Sequence, residues 1–282
     1  MAAAGGAAYT SVKTGGVMAE AAAPENGTWR KGAFVTTADV FVFVEAALVW
    51  LGLLVLVLIG VFAAAKAMHL PPDFARRFTA ELRSNYALQQ ALTASLYLVL
   101  LFFLWRIARR VCDTALAARY RAAAFMHLLP AVLGGAVLAL IVPILNFYMI
   151  KHHGLDLHAT SSEQKTIPQL PGQLPFALLS LGLIVPFVEE LYFRGIILGW
   201  LQRRMNVVLA VAVDAAIFGL VHLDFVSHPG LGGWYITAVL TAVGALAAVL
   251  AFKTKSLWAP FGLHAGYNAT LVSLPLLAQW LR

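Results

Sequence analysis

Long apolar segments constrain the fold of this chain more than any other feature. Residues 46–65 read AALVWLGLLVLVLIGVFAAA and contain no charged side chain. A helix of about 20 apolar residues spans the hydrocarbon core of a bilayer. Hydrophobic residues make up 61% of the 282 residues and charged residues only 12%, which excludes an ordinary soluble domain. The sequence therefore predicts an all-α polytopic membrane protein, a bundle of about seven or eight transmembrane helices.

The pattern of apolar segments predicts seven crossings, over residues 38–67, 86–105, 127–150, 174–200, 206–223, 233–252 and 257–281. An eighth crossing would arise if the fourth segment were split at Pro186. It would also arise if the basic, Ala-rich segment 111–126 crossed instead of lying on the surface as an amphipathic helix. With seven crossings, most Lys and Arg residues lie on the side of the N-terminus, which favours a cytoplasmic N-terminus. The side of the C-terminus depends on which count holds.

The chain divides into three parts. Residues 1–33 are expected to form a disordered N-terminal lead segment. Residues 34–173 form N-terminal transmembrane helices and loops, and residues 174–282 form a transmembrane core that carries the motifs described below. The net charge of +7 comes from basic residues in loops between apolar segments, where they face anionic lipid, so no nucleic acid partner is expected. We expect an integral multi-pass protein in a lipid bilayer. Its Ala-rich, short-looped composition suggests the cytoplasmic membrane of a bacterium.

Ionisable residues are concentrated in the fourth apolar segment, at Glu189, Glu190 and Arg194. A charged residue within a span costs roughly 2.5–3.5 kcal/mol on insertion scales, so this cluster is a candidate functional site. The four-residue spacing places Glu190 and Arg194 on one helical face, where they can pair, and Glu189 points about 100° away. A structural ion pair that joins two helices is the alternative. Pro186 should kink the helix, free backbone carbonyls and leave room for water.

Two later segments carry histidines within apolar surroundings. The fifth contains Phe218-x-x-x-His222, and the seventh contains His264-x-x-x-Asn268 after the sequence Ser-Leu-Trp-Ala-Pro. A single histidine in a membrane helix is more often a packed residue with a satisfied hydrogen bond. Two of them favour a site here, because the helical rise lets both reach the depth of the carboxylates. Asp214, eight residues before His222, is expected to form a hydrogen bond between helices rather than to take part in catalysis.

Three short motifs thus occur in order on successive apolar helices: Glu189-Glu190-x-x-x-Arg194, Phe218-x-x-x-His222 and His264-x-x-x-Asn268. Together they resemble the motifs of the CAAX-protease and bacteriocin-processing (CPBP/Abi) family of intramembrane proteases, which is related to the prenyl-protein endopeptidase Rce-one. The resemblance covers about residues 174–281. The residues before it fit the variable N-terminal spans of that family.

The resemblance implies an endopeptidase that hydrolyses a peptide bond of a membrane-associated protein or peptide. By this likeness Glu189, together with His222, would activate the attacking water. Glu190 would be held by Arg194 and would orient the helix.

The same resemblance implies roles for the remaining motif residues. His264 and Asn268 would donate hydrogen bonds to the tetrahedral oxyanion, each worth roughly 3–4 kcal/mol in comparable hydrolases. Phe218 would shape the pocket. The implied partners are a membrane-associated protein or peptide substrate and the lipid bilayer.

Metal use is open at this stage. Glu189, His222 and His264 are acceptable zinc ligands, and three protein ligands plus water make the usual catalytic zinc site. The sequence has no H-E-x-x-H motif, and the glutamate mechanism of the family needs no metal, so we expect no obligatory cofactor.

Two hypotheses that do not involve proteolysis remain as alternatives. One is a membrane adaptor or bacteriocin-immunity protein on the same fold. The other is a small transporter, which would predict an internal repeat, and the sequence shows no second Glu-Glu element.

Overall fold

The computed structural model describes residues 36–111, 122–155, 157, 167–227 and 230–280. Regular structure within these ranges is helical throughout, so the predicted all-α class is confirmed. The expected disordered lead over residues 1–33 lies outside the described residues. The same holds for residues 112–121, the greater part of the segment expected to form an amphipathic surface helix.

Eight longer helices follow one another along the described part of the chain: α1 (Val42–Ala67), α2 (Phe74–Ser84), α3 (Tyr86–Val111), α4 (Leu128–His153), α5 (Pro171–Leu201), α6 (Val207–Leu220), α7 (Leu231–Thr254) and α8 (Trp258–Trp280). Short helical turns precede α1, precede α4 and follow α6, at Thr37–Val40, Ala122–His127 and Asp224–Ser227. Helix α5 is composite. It begins with a 3-10 turn and alternates α-helical and π-helical stretches: Pro171–Gln173, Leu174–Leu179, Ser180–Ile184, Val185–Glu190, Leu191–Ile197 and Leu198–Leu201.

Within the described residues, five helical segments are long and apolar enough to cross a membrane: α1, α3, Phe125–His153 with α4, α5 and α7. Helix α6 is apolar but has only 14 residues. Helix α8 has 23 residues and carries His264 and Asn268 within its apolar sequence. In order, these helices correspond to the seven predicted segments, and the protein is an integral multi-pass membrane protein. Helix α5 stays helical through Pro186, so no extra crossing arises there.

Glycine lets α4 and α8 pack backbone against backbone. A Cβ atom on Gly135 would lie 2.0 Å from the carbonyl oxygen of Leu263, and one on Gly266 would lie 2.2 Å from that of Val132. Lipid chains are as apolar as the side chains they contact, so helices in a bilayer associate mainly through such close van der Waals packing. These two contacts fix α8, and with it His264, against α4.

Helix α5 occupies the centre of the bundle. Its buried residues Val188 and Ile196 belong to one apolar cluster with Leu104 of α3 and residues of α6 and α7. The hydroxyl of Tyr192 donates to the carbonyl of Val40 at the N-terminal side of α1. Because other helices cover it on several sides, α5 can hold polar groups away from lipid.

Candidate active site

Two π-helical turns flank the paired glutamates of α5, at Ser180–Ile184 and Leu191–Ile197. Such turns place an extra residue in the helix and are frequent at functional sites. In the i to i+5 pattern, the carbonyl of Leu181 would accept from residue 186, but Pro186 has no N–H. The Nδ2 amide of Asn268 on α8 donates to this carbonyl instead, at 3.0 Å. Proline therefore frees a carbonyl, as the sequence predicted, and Asn268 satisfies it.

Glu190 and Arg194 pair on one face of α5. The Nε atom of Arg194 lies 3.2 Å from Oε2 of Glu190, and both side chains are fully buried. The Nη2 atom of Arg194 donates to the carbonyl of Gly244 on α7 at 2.7 Å. The guanidinium also lies 4.7 Å from the centre of the Phe218 ring. A carboxylate, a carbonyl and an aromatic face thus replace the water that this cation would have outside the membrane.

Asp214 of α6 brings a second carboxylate to the same guanidinium. Its Oδ2 atom lies 3.7 Å from Nε of Arg194, and its side chain is fully buried. This separation is too long for a hydrogen bond, so the contact between the helices is an ion pair rather than the hydrogen bond that the sequence suggested. Two buried carboxylates therefore face one arginine.

His264 of α8 lies between the two glutamates. Its Nδ1 atom is 3.0 Å from Oε1 of Glu190, and its Nε2 atom is 3.8 Å from Oε2 of Glu189. A carboxylate can only accept a hydrogen bond, so Nδ1 carries a hydrogen. Glu190 therefore contacts Arg194 with one oxygen and His264 with the other, which fixes the orientation of the imidazole.

Glu189 differs from Glu190 in how its oxygens are used. Oε1 accepts a hydrogen bond from the hydroxyl of Tyr97 on α3, at 2.5 Å. Oε2 is buried and has no hydrogen-bond partner among the described residues. It lies near His264 but outside hydrogen-bond distance. This oxygen is free to accept a proton from a water molecule.

The ring of Phe218 contacts both histidines, with centroid distances of 4.9 Å to His222 and 5.6 Å to His264. Nδ1 of His222 donates to the carbonyl of Phe218 at 2.7 Å, so Nε2 of the neutral ring is an acceptor. His222 is exposed, whereas His264 is buried. The sequence predicted a helix as far as residue 223, but α6 ends at Leu220 and His222 lies in the following turn. Leu223 has a φ of 59°, a left-handed conformation that cannot continue a helix.

The contacts join most of the predicted site residues in one cluster: Glu189, Glu190, Arg194, Phe218, His222 and His264. Asn268 lies one turn beyond His264 on α8, and its described hydrogen bond goes to Leu181. The sequence analysis missed Tyr97 and the carbonyl of Gly244. The sequence did contain a signal for Tyr97. Tyrosine in membrane proteins is enriched at the interfaces, so a tyrosine in the middle of a span is unusual.

Within the described part of the chain, no group of three or more His, Cys, Asp and Glu side chains could hold a metal ion. Among the three considered as zinc ligands, Nδ1 of His222 faces the Phe218 carbonyl and Nδ1 of His264 faces Glu190. The mechanism below is derived from the protein groups and water.

Comparison with a family model points to the same part of the chain. Residues 171–270 match the family model described as Type II CAAX prenyl endopeptidase Rce1-like. YdiL of Bacillus subtilis (strain 168), whose name classes it provisionally as a membrane peptidase, is 28% identical over 127 residues. That match covers 45% of this chain and 48% of YdiL, about half of the relative's length. No solved structure matches the chain. The resemblance carried by the three motifs is confirmed, and over residues 171–270 this chain is similar to the Rce1-like family.

Proposed function

We propose that this protein is an intramembrane endopeptidase that hydrolyses a peptide bond of a membrane-associated protein or peptide. The observation that carries the proposal is the buried carboxylate of Glu189, whose Oε2 atom has no hydrogen-bond partner among the described residues and lies beside His264. The family of residues 171–270 and the peptidase name of the bacterial relative support the same activity.

Glu189 is the general base in this proposal. Its Oε2 atom takes a proton from water as the water oxygen attacks the carbonyl carbon of the scissile bond. His222 offers Nε2 as a second acceptor that orients the water, because its Nδ1 hydrogen is already donated to the Phe218 carbonyl. A positioned general base contributes about 10²–10⁴-fold to a rate. The exposure of His222 favours substrate entry from its side of the cluster.

The attack produces a tetrahedral oxyanion, which His264 and Asn268 are suited to stabilise. Asn268 has two hydrogens on Nδ2, and the bond to the Leu181 carbonyl uses one of them. The donor role of His264 requires a hydrogen on Nε2 in addition to the one that faces Glu190. The intermediate then collapses, the C–N bond breaks, and the leaving amine takes the proton from Glu189. The carboxylate is thereby regenerated.

The remaining residues of the cluster hold this arrangement in place. Glu190 orients His264 through Nδ1, and Arg194 compensates the charge of Glu190. Asp214 attaches Arg194 to α6. Phe218 separates the two imidazoles and fixes the distance between them.

Cleavage of membrane-anchored peptides by the purified protein in detergent tests the proposal. The wild type and Glu189→Gln are incubated with a peptide library, with and without a strong chelator, and products are identified by mass spectrometry. We expect cleavage by the wild type that is lost in Glu189→Gln and is insensitive to the chelator.

Two outcomes would contradict the proposal. Activity that is lost with the chelator and restored by zinc would make Glu189, His222 and His264 ligands rather than base and donors. A wild type as inert as Glu189→Gln across the library would favour a membrane adaptor or immunity protein on the same fold.

A further inference from the structure

A residue outside the matched domain contacts the proposed base. Tyr97 lies on α3, 92 residues before Glu189 and outside residues 171–270. Its hydroxyl donates to Oε1 of Glu189 at 2.5 Å. A distance in this range is typical of a hydrogen bond to a charged oxygen, which is about twice as strong as one between neutral groups.

We propose that Tyr97 is a positioning residue for Glu189. Its hydroxyl holds Oε1, so that Oε2 is the oxygen that faces the water and accepts its proton. This inference rests on the proposed peptidase function. It assigns a specific part in the reaction to the N-terminal helices, which the matched domain does not include.

The need for such a residue follows from the surroundings of Glu189. Oε2 lies 3.8 Å from Nε2 of His264, and a shift of about 1 Å would bring them to hydrogen-bond distance. The oxygen would then be occupied by His264 and would no longer be available to water. A hydrogen bond from another helix opposes this shift because it fixes the carboxylate from its other oxygen.

The phenol also reduces the cost of burying a charge. Glu189 is a buried carboxylate in an apolar helix, and an ionised group in such a place requires hydrogen bonds to remain charged. Among the described hydrogen bonds, the one from Tyr97 is the bond that Glu189 accepts. Phenylalanine at position 97 would keep the ring and its apolar contacts and remove only this donor.

Kinetics on a peptide that the wild type cleaves give the first test. We expect Tyr97→Phe to lower kcat about 10- to 100-fold and to leave KM unchanged, because Tyr97 contacts the base and not the substrate. The matched control is Tyr235→Phe. The hydroxyl of Tyr235 donates to Asn146 at 3.0 Å, and its removal should change neither kcat nor KM. If the wild type were active and Tyr97→Phe had the same kcat and KM as Tyr235→Phe, the inference would be overturned. The proposed function would remain intact.

A double-mutant cycle in thermal stability tests the contact without any substrate. Tyr97→Phe is made in the wild type and in Glu189→Met, which lacks both carboxylate oxygens. We expect Tyr97→Phe to lower the Tm of the wild type and not that of Glu189→Met, where the phenol has already lost its acceptor. An equal loss in both backgrounds would contradict the contact. If the cycle showed coupling between the two residues but the wild type cleaved no peptide, the contact would stand. The proposed function, and with it the positioning role, would then be refuted.

Discussion

Helices α1 and α5 are both long and apolar enough to cross a membrane, yet the molecule uses them in opposite ways. In the most apolar 18-residue stretch of α1 only 6% of the residues are buried within the protein, compared with 50% in the corresponding stretch of α5. Glu45 of α1 is exposed, whereas Glu190 and Arg194 of α5 are fully buried. Hydropathy alone identifies a crossing. The partners that surround a charged residue decide whether that residue can serve a function.

The two helices also differ in how specific the contacts of their side chains are. Along α1, exposed side chains such as Leu48 and Val57 face outward, where any apolar residue of similar size is equivalent. Along α5, each charged group meets a specific atom of another helix, as Arg194 does at the carbonyl of Gly244. The same kind of substitution should therefore have different effects in the two helices.

Removal of a charge should show the largest difference in stability. Arg194→Met would leave Glu190 and Asp214 buried without their cation, which costs about 3–5 kcal/mol when one partner of a buried pair is lost. Lys66→Met at the end of α1 removes an exposed cation and should change stability by no more than about 0.5 kcal/mol. Unfolding in detergent, followed by circular dichroism, measures both.

A second substitution tests whether the carboxylates cause that cost. Adding Asp214→Asn to Arg194→Met removes one of the two stranded charges and should recover part of the lost stability. If the double variant were less stable than Arg194→Met alone, the ion pair between α5 and α6 would not be the reason for the effect.

Added volume should show a smaller difference of the same kind. Gly266→Ala places a methyl group 2.2 Å from the Val132 carbonyl, and overpacking of this kind costs typically about 1–3 kcal/mol. Gly60→Ala on α1 meets nothing within 4 Å and should be neutral or slightly stabilising, since alanine is the better helix former. Equal Tm values for the two variants would show that α4 and α8 are not packed as closely as described.

Loss of one hydrogen bond should have the smallest effect. Asn268→Ala leaves the Leu181 carbonyl without its donor, at a cost of about 1–2 kcal/mol. Pro186→Ala in the same background supplies a backbone N–H to that carbonyl and should restore much of the lost stability. Because Asn268 also has a proposed role at the oxyanion, the double variant should stay poorly active. Full recovery of peptide cleavage would confine Asn268 to the structural role.

Local spacing made much of this molecule predictable. The order of the crossings follows from apolar length, and the pairing of Glu190 with Arg194 follows from a separation of one helical turn. The carbonyl freed by Pro186 is equally local. The position of His222 was only partly predictable, because the helix before it ends early and Leu223 takes a left-handed conformation that no general preference of leucine indicates.

Contacts between distant helices were not predictable in the same way. Tyr97, Asp214 and Gly244 meet the motif residues only because α3, α6 and α7 are rotated to face them. A helix that is apolar on every side gives no stripe from which such a rotation can be read. Only an unusual residue in such a helix, as Tyr97 is, signals the face that it turns inward.

The most direct test of the central claim compares the two helices on one substrate. The rate of peptide cleavage is measured for the wild type, for Glu189→Gln in α5 and for Glu45→Gln in α1. The proposed mechanism predicts a loss of at least about 100-fold for Glu189→Gln and no change for Glu45→Gln. A Glu189→Gln variant that cleaves the peptide within a few-fold of the wild-type rate would show that Glu189 is not the base.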